Sequence, residues 1–395
     1  MPTVIASSLR DKRLPTPCLL LDETRLLANC ARVSAHVRRQ GLCLRPHLKT
    51  VKNAELARHC MASPHGPATV STLAEADYFF RHGITDLCYA VGMVPQKLDR
   101  VLALRRQGAD LSVVLDAAES VHLLDAALAS LRTNDDSPLP VLLEIDCDGH
   151  RSGLAPEGSE LPAAAEQLRR STGLCLRGVL THAGGAYDAP HTDRCATLAQ
   201  QEGHAVVLAA RRLREAGHAC PVVSAGSTPT VLLGRYPAGV TEVRAGVYPF
   251  MDLTMAGLGV CTLDDIALSV LTTVLGRRRS DGSLVVDAGW TALSADRGLT
   301  RQWPFQGYGL VCREDGTLLP GLRVSETNQE HGIISCGPVA PAQAMPGPAA
   351  CPDLPVGTRL RILPNHACAT AACHAGYVLL RDGRPADFLT RCRGW

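Results

Sequence analysis

Two rhythms of apolar and polar positions alternate through the first two thirds of the chain. Short apolar runs read as buried strands, and the longer stretches between them carry helical spacing, as where Leu26, Leu27, Val33 and Val37 share one face of 22–40. The pattern predicts strands at 17–21, 42–47, 68–72, 86–90, 111–116, 141–146, 176–182, 222–225 and 243–250. Helices are predicted at 22–40, 52–60, 73–81, 95–107, 117–130, 161–171 and 191–216. Strands alternating with helices imply βαβ units and a parallel sheet. About eight units over roughly 240 residues fit a (β/α)8 barrel better than an open doubly wound sheet. No Gly-x-Gly-x-x-Gly follows any strand, which argues further against a dinucleotide-binding sheet.

From about residue 268 the texture changes. Short β-type runs at 268–275, 284–287, 309–312, 359–362 and 377–381 are separated by Gly, Pro and Asp, and no long helical pattern remains. The expected division is a barrel over 14–265 and a β domain over 266–395. Residues 1–13 are expected to join the β domain, because chain termini often lie close together.

Composition narrows the function. The chain has 395 residues, 46% hydrophobic and 20% charged, which excludes wholesale disorder. A net charge of +2 gives no reason to expect a nucleic-acid partner. No apolar run reaches the ~18 residues of a spanning helix, and the N-terminal MPTVIASSLRDKR lacks the apolar core of a signal peptide. The expectation is a cytoplasmic enzyme with no membrane partner. Its 16 cysteines include no Cys-x-x-Cys pair and read as buried or reactive thiols rather than a disulfide framework. Only Lys12, Lys49, Lys52 and Lys97 could supply a catalytic amine.

Function in a parallel barrel sits at the C-terminal ends of the strands. Lys49 follows a strand there, among His47, Thr50 and Lys52. Such a lysine is either an exposed surface residue or a Schiff-base amine activated by neighbouring cations. The small-residue loops His182-Ala183-Gly184-Gly185 and Ala225-Gly226-Ser227-Thr228 are either ordinary turns or phosphate cradles, the second being followed by Pro229, a favoured first helical residue. His366-Ala367-Cys368 ends an apolar run, and an extended backbone would put both side chains on one side. It reads either as a buried thiol beside a hydrogen-bonded histidine or as two ligands of zinc.

Taken together, the motifs resemble one family. Arg45-Pro-His-Leu-Lys49-Thr looks like the pyridoxal-phosphate lysine motif of the D-serine dehydratase/D-threonine aldolase family, fold-type III enzymes with an alanine-racemase-like barrel. Glu144-Ile-Asp-Cys-Asp-Gly-His-Arg151-Ser-Gly is similar to the family's segment bearing the arginine under the cofactor ring. Glu242-Val-Arg-Ala-Gly246-Val-Tyr248 is similar to its phosphate-binding strand end. Val286-Asp287-Ala-Gly289, Gln329-Glu330-His331-Gly332 and Pro364-Asn-His366-Ala-Cys368 match its C-terminal domain in order and spacing.

The resemblance implies that Lys49 holds pyridoxal 5'-phosphate and, with His47, is catalytic. Arg151 would face the pyridine nitrogen, and His182 or Tyr187 would stack on or flank the ring. Gly226, Ser227, Thr228, Gly246 and Tyr248 would hold the phosphate, and His366 and Cys368 would bind Zn2+ or another divalent metal such as Mn2+. A thiolate favours zinc over a hard cation, and in this family His-x-Cys marks the dehydratases. The implied reaction converts a 3-hydroxy-D-amino acid such as D-serine, D-threonine or D-threo-3-hydroxyaspartate to a 2-oxo acid and ammonia. The alternative is a metal-activated D-threonine-type aldolase giving glycine and an aldehyde. A cofactor carrier without turnover would need no second metal site. Trp290 stands where some family members carry lysine, and the family is commonly homodimeric.

Overall fold

A computed structural model describes residues 14–133, 136–188, 192–298, 307–337 and 351–395. Residues 1–13 and the expected start of the long helix at His191 lie outside the described residues. In chain order the strands are β1 (Cys18–Asp22), β2 (Cys43–Pro46), β3 (Ala68–Val70), β4 (Asp86–Gly92), β5 (Asp110–Leu115), β6 (Leu139–Ile145), β7 (Leu174–Thr181), β8 (Val222–Ala225) and β9 (Glu242–Ala245). They continue with β10 (Leu268–Arg277), β11 (Leu284–Val286), β12 (Leu310–Arg313), β13 (Leu318–Thr327), β14 (Gly332–Cys336), β15 (Arg359–Leu363), β16 (Gly376–Arg381) and β17 (Arg384–Thr390).

The chain divides into two compact units. One takes Ala31–Gly246 and Cys392–Trp395; the other takes the chain up to Cys30 together with Val247–Arg391. The first unit is the expected (β/α)8 barrel. Its strands run in the order β2-β9-β8-β7-β6-β5-β4-β3, each ladder parallel. A parallel bridge between His47 and Thr69 closes the remaining gap, with Leu48 N donating to Thr69 O at 2.8 Å. Parallel strands are covered on both faces, and Leu111, Val113, Val114 and Leu115 of β5 are accordingly all buried. Polar caps set the helix starts. Asn53 Oδ1 accepts from Leu56 N, and Thr72 Oγ1 from Glu75 N, both at 3.0 Å.

One strand belongs elsewhere. The run at 17–21, read as part of the barrel series, forms β1, which pairs antiparallel with β10 and parallel with β16. Periodicity reports that such a run is buried; which sheet buries it is a tertiary choice. The run at 243–250 likewise ends as a strand at Ala245.

The second unit orders its strands β11-β14-β13-β12-β15-β10-β1-β16-β17, and a further β10–β11 pairing rolls six of them into a ring. Strands β13, β14 and β17 were not predicted. Pro320-Gly321 and Pro385 read as breakers, but a register shift beside Val324 and another beside Leu379 keep these strands paired.

Candidate active site

The turn after β2 carries Lys49. His47 N donates to Ala245 O at 2.8 Å, continuing the β2–β9 ladder. The chain then turns, leaving Leu48 and Thr50 buried and Lys49 exposed. Lys49 N approaches His47 Nδ1 at 3.5 Å. The other described lysines are engaged: Lys52 pairs with the buried Glu75 at 2.8 Å, and Lys97 donates to Tyr89 OH at 2.7 Å. Lys49 has no ion pair among the described residues.

Two imidazoles sit beside it. Burial, reinforced by Lys49, Arg244 and His182, pushes His47 well below the ordinary histidine range. Burial lowers His182 to about 3, opposed by its bond to Gly226 O and reinforced by Arg151, Arg244 and Lys49. Both rings are therefore neutral at pH 7. His182 Nδ1 lies 3.1 Å from Gly226 O, which puts its proton on Nδ1 and leaves Nε2 as an acceptor. The Tyr187 ring lies 6.1 Å from the His182 ring.

The loop after β8 is built from small residues for a steric reason. Gly226 adopts φ +117°, and a Cβ there would lie 2.8 Å from Arg244 O. Ser227 caps the short helix Thr228–Leu233, in which Pro229 is the second residue. Ser227 N donates to Thr230 Oγ1 at 2.9 Å, and Gly246 N to Thr228 Oγ1 at 3.2 Å. The fully buried Glu202 ties this loop to the one after β7. Its carboxylate accepts from Ala183 N at 2.9 Å and from Tyr236 OH at 2.7 Å; that hydroxyl also meets Thr230 Oγ1 at 3.1 Å.

Beneath these loops runs a polar chain inside the barrel. Arg45 Nε donates to Glu242 at 3.0 Å, Ser224 Oγ donates to Glu242 Oε1 at 2.8 Å, and Arg244 donates to Ser224 Oγ and Thr181 O. Burial disfavours the charge on Arg45, but Glu242 and Asp86 outweigh it and raise its pKa.

Arg151 projects exposed from the loop after β6. Asp146 Oδ1 fixes that loop by accepting from Gly149 N at 2.7 Å, and Asp148 Oδ2 by accepting from Gly185 N at 3.0 Å. Lys49, His47, Arg151, His182, Tyr187, Gly226, Ser227, Thr228 and Gly246 thus all belong to the barrel unit. Tyr248 falls in the other unit and is fully buried.

His366 and Cys368 also belong to that second unit. The backbone is not extended through both, as expected from sequence: His366 is the N-cap of the helix Ala367–Ala372, so Cys368 lies inside its first turn. The side chains nevertheless meet through a hydrogen bond. Asp296 Oδ2 holds His366 Nδ1 at 2.6 Å. Burial alone would lower the His366 pKa, but Asp296 and Cys368 raise it to about 11. The loop is clamped from below. Leu253 N and Thr254 N donate to Pro364 O and Asn365 O at 3.1 Å, and the buried Asp252 accepts from Ala367 N at 2.9 Å.

The motifs around Gly289 and Gly332 also meet. Trp290 N donates to Asn328 O at 3.0 Å, and a Cβ on Gly289 would lie 2.2 Å from Gln329 O. Asp287 is structural, accepting from Thr16, Thr272 and Thr273, and Trp290 stays exposed.

Sequence reasoning did not assign Arg244, Glu202 or Asp296. Arg244 stood inside a quoted motif and was a findable signal. Glu202 lies mid-helix, and Asp296 is 70 positions from His366, where no spacing rule reaches.

Residues 21–254 match the family model described as alanine racemase, N-terminal domain, and residues 267–380 match a serine dehydratase domain. The chain is 44% identical to a D-threo-3-hydroxyaspartate dehydratase from Delftia sp. (strain HT23), covering 97% of this chain and 98% of the relative. It is 29% identical to a D-threonine aldolase from Arthrobacter sp., covering 95% and 91%. A D-threo-3-hydroxyaspartate dehydratase solved as a cysteine-to-alanine variant in its metal-free form superposes with a TM-score of 0.90 at 43% identity, covering 97% and 99%. The chain belongs to the D-serine dehydratase/D-threonine aldolase family of fold-type III pyridoxal-phosphate enzymes, whose barrel is of the alanine-racemase type.

Proposed function

We propose that the chain is a pyridoxal-phosphate- and zinc-dependent dehydratase that converts a 3-hydroxy-D-amino acid to a 2-oxo acid and ammonia. The full-length similarity to a D-threo-3-hydroxyaspartate dehydratase favours a substrate with a carboxylate on Cβ. The observation that carries the dehydratase reading is the His366–Cys368 pair, an imidazole and a thiol joined on a clamped loop and backed by Asp296. A carboxylate behind an imidazole is the usual outer partner of a metal-bound histidine, and imidazole with thiolate suits zinc.

The barrel residues fit an anionic, aldehyde-bearing cofactor. An amine without an ion pair among the described residues stands near Arg244, Arg151 and two neutral imidazoles. Gly226 lets its loop approach Arg244 more closely than any side chain would permit, and Thr69 Oγ1 is a buried hydroxyl without a partner among the described residues. When bound, pyridoxal phosphate supplies an electron-withdrawing ring that acidifies Cα–H, and zinc supplies Lewis acidity at the β-hydroxyl. Lys49 Nζ would hold the cofactor and serve as the base for the Cα proton. His47, neutral, accepts a hydrogen bond beside it without adding charge. In the barrel unit Gly226, Ser227, Thr228 and Gly246 would hold the phosphate, His182 and Tyr187 would flank the ring, and Arg151 would face its nitrogen; Tyr248, also expected at the phosphate, belongs to the other unit. That positive charge would disfavour protonation of the nitrogen, and His366 and Cys368 would hold the zinc that supplies Lewis acidity.

We infer a homodimer working in the cytoplasm. No helix among the described residues is long and apolar enough to cross a membrane. Chelation tests the proposal: stripping zinc from the holoenzyme abolishes ammonia release while the cofactor stays bound. Full activity in exhaustively metal-free enzyme overturns it.

A further inference from the structure

Away from this site, the sulfurs of Cys336 and Cys351 lie 2.7 Å apart. Cys336 ends β14, and Cys351 lies against the same strand, its thiol also reaching Ile334 O at 3.6 Å. The approach is held from a third element. Arg277, the last residue of β10, donates to Pro352 O at 2.9 Å, to Asp353 Oδ1 at 3.2 Å and to Cys351 O at 3.5 Å. Both thiols are free, and both are part-exposed rather than sealed in the core. A covalent bond needs the sulfurs to close to ~2.05 Å, and the backbone on either side is already pinned.

We propose that Cys336 and Cys351 form a reversible dithiol–disulfide modification site, oxidised by hydroperoxides and reduced by small thiols. Cys336 Sγ donates to Cys351 Sγ, which favours the thiolate on the accepting sulfur, so Cys351 is the sulfur that attacks first. Its thiolate takes the terminal oxygen of the peroxide, breaking the O–O bond and giving a sulfenic acid and, with hydrogen peroxide, water. The Cys336 sulfur then attacks the sulfenic sulfur. The S–S bond forms, the S–O bond breaks, and the hydroxyl leaves with the Cys336 proton as a second water. Two electrons pass from the thiols to the peroxide. Two equivalents of a small thiol reverse the change by exchange. The bond closes residues 336–351 into a ring and locks the end of β14 to the segment that Arg277 holds.

The test uses the full-length holoenzyme, reduced, freed of reductant and exposed to a small excess of hydrogen peroxide. Free thiols are then alkylated, and the digest is mapped without reduction. The expected result is a linked pair, Cys336 joined to Cys351 within the one peptide that carries both, two hydrogens lighter than its dithiol form and unalkylated, that disappears on adding dithiothreitol. Cys336→Ser should abolish the linked pair and leave Cys351 trappable by dimedone as a sulfenic acid. Recovery of both cysteines in alkylated form, or preferential linkage of Cys351 to another cysteine, overturns the proposal. If Cys336→Ser does not fold, the wild-type map decides alone.

Discussion

His47 pairs with Thr69 in the parallel bridge that closes the eight-stranded sheet. The same histidine begins the turn on which Lys49 stands, so barrel closure and the pose of the amine are one feature. Thr69 Oγ1 is buried there without a partner among the described residues. Thr69→Val keeps the shape and removes a hydroxyl whose burial costs about 1–3 kcal/mol when unmet. Urea melts of cofactor-free protein should show unchanged or higher stability, and cofactor affinity should fall. A clear loss of stability in the cofactor-free variant would mean that the hydroxyl is bonded within the protein.

Lys49→Ala should lose the visible absorbance of lysine-bound pyridoxal phosphate together with activity. Lys97→Ala serves as the control, since Lys97 is engaged with Tyr89, and it should retain both. Spectra of the two variants reconstituted side by side check this. A Lys49→Ala protein that keeps the absorbance and turns over normally removes Lys49 from the chemistry.

The His182 pKa, lowered to about 3 by burial, makes a signed prediction for stability. The folded state prefers the neutral ring, whereas the unfolded chain takes a proton near ~6.5. This contribution is fully present above that value and is lost as pH falls from there towards 3. Thermal midpoints should drop over that window more steeply in the parent than in His182→Gln. Parallel profiles would mean that the ring is protonated without cost in the folded state.

Asp296 holds His366 Nδ1 at 2.6 Å and so fixes which ring nitrogen faces Cys368. Asp296→Asn should weaken zinc binding by roughly 10–100-fold, read by competition with a chromophoric chelator, while cofactor absorbance is unchanged. Cys368→Asp replaces the soft ligand with a hard one and should shift metal preference from zinc towards manganese or magnesium. Unaltered zinc content and affinity in both variants would take this pair out of the metal site.

Much of this architecture was legible in local pattern. The helix over Leu73–Arg81 and the strand over Val222–Ala225 fall where periodicity puts them, because each is bounded by a cap or a small-residue loop. What escaped was long-range. The run that forms β1 has the same local signature as a barrel strand, yet it pairs with β10 and β16. Strand β13 contains Pro320-Gly321 and survives only through its neighbours. Among the candidate site residues, Lys49 and the His366–Cys368 spacing stood out because those residue types suit Schiff-base and metal chemistry. Glu202 and Asp296 did not, because a buried carboxylate is recognised by what it touches, and contacts across the fold leave no mark on local spacing.

The most direct measurement is the product ratio from D-threo-3-hydroxyaspartate and D-serine with zinc-loaded holoenzyme. The account predicts ammonia and 2-oxo acid released in equal amounts, with the hydroxyaspartate the better substrate and no accumulation of glycine. Glycine and an aldehyde appearing in equal amounts, with ammonia at background, would contradict it and make the chain an aldolase.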